Sequence, residues 1–109
     1  MTNDTTGGIF MTKNEKLIEK WKNYLAPEVP RKDVEKVART YGFNIESSSS
    51  GGSHMIYSHV KLIGEPGYSE IGGFTVPYVS GKTVKKIYVK NLLKAIEIIE
   101  NEEGNDEKE

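Results

Sequence analysis

From Lys13 onward the apolar residues Leu17, Ile18, Trp21, Tyr24 and Leu25 recur at helical spacing, which predicts a helix over 13–25. Thr12 stands three residues before Glu15, the spacing of a capping box, and Pro27 ends the segment. A second helix begins near Pro30 and buries Val34, Val37, Ala38 and Tyr41 as an i, i+3, i+4, i+7 stripe, with Gly42 as its C-terminal cap. Beyond that glycine the period falls to two. Phe43 and Ile45 alternate with polar neighbours in a short strand, and the cluster from Ser47 to Gly52 forms a turn. A second strand is expected from His54 to Ile63, with Ile56, Val60 and Leu62 on one face and Met55, Tyr57, His59 and Lys61 on the other. His54 has the parity of the aliphatic set but lies at the strand's end. After Gly64-Glu65-Pro66-Gly67, a third strand runs from Ile71 to Val79 and breaks near Pro77. Val89, Leu92, Leu93, Ile96 and Ile99 then mark a final amphipathic helix with a wet edge of Lys86, Lys90 and Lys94.

The order is helix, helix, three strands, helix, so the expected fold class is α+β. Short connections make the three-stranded sheet an antiparallel meander with the helices on one face, leaving the other face and the turn ends free for a ligand. One domain is expected over 13–100, between a disordered start at 1–12 and a frayed acidic tail at 101–109. The chain has no cysteine, no apolar run long enough for a bilayer and no signal-peptide pattern at its start, so a cytoplasmic location is expected. Its net charge of −1 is unevenly spread. From Lys13 to Lys94, 14 Lys/Arg face 8 Asp/Glu, a net +6; from Ala95 to Glu109, Lys108 faces 7 acids, a net −6. A basic body is compatible with a polyanionic partner.

Candidate chemistry concentrates at Gly52-Ser53-His54. Imidazole exchanges protons near neutral pH, and a glycine beside it admits a polyanionic backbone closely. Gly-Ser-His-Met is also the scar of a cleaved tag, but here it lies mid-chain between two segments with folding patterns. A strand-end histidine with a satisfied hydrogen bond is the plainer alternative for His54. His59 falls on the opposite strand face and is expected to be a surface or core residue. Ser53 lacks a visible relay partner, which makes it a hydrogen-bond donor to backbone or phosphate rather than a nucleophile. Lys82, Lys85 and Lys86 lie in a stretch from Gly81 to Lys94 that contains no acid; they are the best phosphate contacts, against the ordinary reading of a solvated face. Tyr57 and Tyr78 are expected to pack in the core, with stacking on an unpaired base as the alternative. No phosphate loop, zinc-spacing motif or dinucleotide fingerprint occurs.

Taken in order, Pro30-Arg31-Lys32-Asp33-Val34, Tyr41-Gly42-Phe43, Gly52-Ser53-His54-Met55-Ile56-Tyr57, Thr75-Val76-Pro77 and Ser80-Gly81-Lys82-Thr83-Val84-Lys85-Lys86 resemble the HicA toxin family over roughly Pro30 to Ile99. The resemblance implies a small mRNA interferase whose fold is akin to the double-stranded-RNA-binding domain, held inactive by a HicB-like antitoxin. It implies RNA cleavage by His54 as general acid or base, without metal or cofactor. Gly52, Ser53, Lys82, Lys85 and Lys86 become the expected RNA contacts. A noncatalytic RNA-binding module of the same fold and a protein-interaction domain are the alternatives. Three departures stand out: Tyr78 and Val79 follow the Val-Pro pair where many members have a histidine, Ile87 takes the place of a glycine before the last helix, and the helix bearing Trp21 is an addition in front.

Overall fold

The structure, a computed structural model, describes residues 11–48 and 53–108, with side chains as far as Glu102. Helix α1 (Lys13–Asn23) starts in the expected capping box: the Thr12 hydroxyl accepts from the Glu15 N–H, and the Glu15 carboxylate accepts from the Thr12 N–H. Strand β1 (Glu28–Pro30) leads into α2 (Arg31–Thr40), which buries Val34, Val37 and Ala38 and ends at Gly42, whose φ of 89° is the left-handed cap a glycine supplies. Strands β2 (Asn44–Ser47), β3 (His54–Ser58) and β4 (Gly73–Pro77) follow. Strand β5 (Thr83–Lys85) and helix α3 (Lys86–Lys108) complete the chain.

The expected meander is present: β2, β3 and β4 pair antiparallel in that order. With three helices packed on one side of it, the domain is α+β and consistent with a double-stranded-RNA-binding-domain-like fold. β1 and β5 form a separate two-stranded ladder that the periodicity did not predict, joining Val29 to Val84 across the domain. The Arg31 N–H donates to the Lys82 carbonyl, and the Lys86 N–H to the Pro27 carbonyl, so this ladder pins the starts of α2 and α3 together.

One expected element is corrected. β3 stops at Ser58 rather than Ile63, because the His59 side chain accepts from the Lys61 N–H and caps a turn of 3₁₀ helix at Val60–Leu62. The backbone of α3 is helical from Lys86 to Lys108.

Tyr57, Leu62, Val84, Leu92 and Val37 are fully buried in one core, which also contains Ile18 and Trp21 of α1. The added helix is thus part of the core. It packs on the helix layer, where the Asn14 amide donates to the Thr40 hydroxyl of α2. Among the described residues no helix is long and apolar enough to cross a membrane.

Candidate active site

Strand register decides which face each residue of β3 serves. Tyr57 has no exposed surface and Met55 is half-buried, so this pair faces the helices; His54, Ile56 and Ser58 point to the open face. There Ile56 lies between Glu46 of β2 and Thr75 of β4, and Ser58 lies opposite Asn44. Glu46 is the one Asp, Glu, Lys or Arg contributed by β2, β3 and β4.

His54 is exposed at the mouth of β3, and its imidazole makes no hydrogen bond to a described residue. Its backbone is held from both sides. The Ser48 N–H donates to the His54 carbonyl at 3.0 Å, and the Tyr78 N–H donates to the Ser53 carbonyl at 2.7 Å. His54 faces Pro77 across the β3–β4 pair. Because the neighbouring Ser53–Tyr78 pair carries the ladder bond, His54 and Pro77 form a non-hydrogen-bonded pair, in which side chains approach more closely. The N–H that Pro77 lacks belongs to the outer edge of the sheet, where no partner strand asks for it.

The two histidines separate by their hydrogen bonds. His59 is half-buried; its Nδ1 accepts from the Lys61 N–H at 3.0 Å, which makes Nε2 the protonated nitrogen, donating to the Tyr41 carbonyl at 3.0 Å. Its ring meets the Phe43 ring at 5.2 Å and 63°. Both nitrogens are committed to the fold, so His59 is a structural residue, within the surface-or-core role expected for it.

Ser53 is half-buried and lies beside His54, while Gly52 is outside the described residues. Lys82, Lys85 and Lys86 are exposed. Lys82 sits in the turn that follows β4, where its N–H donates to the Val79 carbonyl, and four residues of chain separate it from Pro77. Lys85 and Lys86 stand at the far end of β5, beside Glu28 and Pro27. The Tyr57 and Tyr78 rings are buried, as expected of packing residues.

A polar group that no local pattern marks lies behind this face. The Tyr78 hydroxyl donates to Glu35 Oε2 at 2.7 Å and lies 2.9 Å from the Tyr57 hydroxyl. Burial, above all other causes, raises the pKa of both phenols, that of Tyr57 to about 12. A groove of about 640 Å³ between α1 and α3 is lined by Glu15, Ile18, Tyr41, Leu93 and Glu97, among others. None of the expected site residues borders it.

The model of the HicA toxin of bacterial toxin–antitoxin systems matches residues 31–98, from the first residue of α2 into α3. No curated protein and no solved structure matches the chain. The matched span holds His54 with its strand neighbours and leaves α1 outside. Since it covers more than half of the 109 residues, the chain belongs to the HicA toxin family of bacterial toxin–antitoxin systems.

Proposed function

We propose that this chain is the endoribonuclease toxin of its pair, cleaving mRNA with His54 as the proton-transfer residue, and that a HicB-like antitoxin neutralises it. One contrast carries the reading: of the two histidines, His59 has both nitrogens engaged in the fold, whereas His54 stands exposed at the mouth of β3 and its ring makes no hydrogen bond to a described residue. Neutral imidazole at His54 takes the proton of the ribose 2′-hydroxyl while O2′ attacks the adjacent phosphorus. The P–O5′ bond then breaks, and the leaving oxygen takes a proton from the imidazolium or from water, leaving a 2′,3′-cyclic phosphate and a 5′-hydroxyl. This chemistry needs no metal or cofactor. Ser53 and Gly52 serve as close backbone contacts to the RNA. Lys82 is the cation nearest in chain to the β4 end facing His54, and Lys85 and Lys86 hold the strand further along.

The test is cleavage of a defined mRNA fragment by the purified chain in the presence of a chelator. His54→Ala is expected to abolish cleavage and growth arrest with the fold intact, and a 2′-deoxy substitution at the cut position to block the cut. Cleavage by the His54→Ala protein would sink the assignment. Salt-dependent binding of RNA by the wild type with no cleavage would instead identify a noncatalytic RNA-binding module.

A further inference from the structure

Behind the sheet face that carries His54, four polar side chains form a continuous chain linking α2, β3 and the end of β4. The Tyr78 hydroxyl gives its one hydrogen to Glu35 Oε2, so the Tyr57 hydroxyl 2.9 Å away must be the donor in the second bond. Arg31 closes the group. Its Nε lies 3.7 Å from the same Glu35 oxygen, its guanidinium carbon 5.6 Å from the Tyr78 ring centre, and its Nη1 donates to the Gly81 carbonyl at 3.0 Å. The Tyr78 hydroxyl is therefore engaged both as donor and as acceptor.

The other end of the same residue reaches the site. The Tyr78 N–H holds the Ser53 carbonyl at 2.7 Å, one residue before His54, and the preceding residue, Pro77, is His54's partner across the strands. Tyr78 thus couples a fixed anchor on α2 to the mouth of β3. Through Gly81, Arg31 also holds the turn that presents Lys82.

We infer that Tyr78, anchored by Glu35, Tyr57 and Arg31, is the positioning residue of this site, fixing the start of β3 and with it the place of the His54 imidazole. The consequence for rate rests on His54 being the proton-transfer residue; the anchoring itself rests on the hydrogen bonds alone. Reacting groups displaced by about 1 Å lose up to ~100-fold in rate, so a loosened strand start should appear in kcat rather than in binding.

Tyr78→Phe keeps the ring and removes the hydroxyl. The expected result is about tenfold faster hydrogen exchange of the residue-78 amide, and a kcat about tenfold lower with KM within about twofold. Glu35→Ala should behave alike, and Glu35→Gln, which keeps an acceptor for the phenol, should return most of kcat. The double variant Tyr57→Phe/Tyr78→Phe removes the stranded phenol as well, so its melting temperature should recover while kcat stays low. If kcat recovers together with the melting temperature, the role is structural and the inference falls. Unchanged exchange of the residue-78 amide in Tyr78→Phe overturns it outright. Should His54→Ala retain cleavage, the catalytic reading fails by itself, and amide exchange still decides whether Tyr78 holds the strand start.

Discussion

Replacing His59 by alanine should damage folding, whereas replacing His54 should damage only cleavage, and the size of the first effect follows from the contacts. His59→Ala removes the side-chain cap of the Val60–Leu62 turn, a loss of about 1 kcal/mol. It leaves the Tyr41 carbonyl without its donor, for a further ~1–2 kcal/mol in a half-buried setting. Loss of the edge contact with Phe43 adds roughly 0.5–1 kcal/mol. A total near 3 kcal/mol should lower the melting temperature by about 10–15 °C in a domain of this size. Thermal unfolding followed by circular dichroism measures this, with His54→Ala as the control expected to stay within about 0.5 kcal/mol of wild type. His59→Asn provides an internal check, since asparagine caps a turn well and should regain about 1 kcal/mol without reaching Tyr41. A melting temperature within about 3 °C of wild type for His59→Ala would refute the structural role of His59.

Gly72 has a φ of 75°, and a Cβ there would lie 2.2 Å from the His59 carbonyl oxygen and 3.0 Å from the Ile63 nitrogen. Both obstacles are backbone, so Gly72→Ala should cost about 3–5 kcal/mol and markedly lower the urea midpoint; an unchanged midpoint would show that the 59–63 turn moves freely. For Tyr57, burial pushes the phenol up to about 12, so the folded state favours the neutral form. Its contribution to stability is complete below the ordinary tyrosine value near 10 and is lost as pH rises from there toward 12. Melting temperatures across that window should fall, and fall less in Tyr57→Phe; equal slopes would refute this.

Elements with a full stripe or alternation were legible because each carries its own periodic signal. The Val34, Val37 and Ala38 face of α2 and the Thr12–Glu15 capping box are local patterns, and both stand where they were expected. β1 and β5 escaped because three residues contain no period, and one buried valine in each is all that marks them. Their pairing partners are 53 to 57 residues apart, so only the closed fold brings Glu28 to Lys85 and Pro30 to Thr83. The end of β3 was obscured for the opposite reason. Alternation continues through Lys61 and Leu62 in the sequence, while the chain leaves the strand after His59, whose N–H still reaches Gly72 in ladder register but whose ring takes the Lys61 N–H and caps a turn.

The site shows the same division between local and distant information. That residues 54, 56 and 58 share one face of β3, with 55 and 57 on the other, follows from strand geometry and was visible. Which face points inward was not, because Ile56 is the aliphatic residue and Tyr57 carries a hydroxyl. Burying Tyr57 requires a partner for that hydroxyl, and the partners are Tyr78 and, through it, Glu35, 21 residues after and 22 before it in the chain. Once that group is satisfied in the core, the parity of the strand leaves no freedom: Ile56 goes to the open face, and His54 goes with it. The imidazole thus lies on the open face because two tyrosines and a glutamate are paired on the other side of the sheet. A histidine with the parity of an aliphatic residue then becomes an exposed one without any change in register.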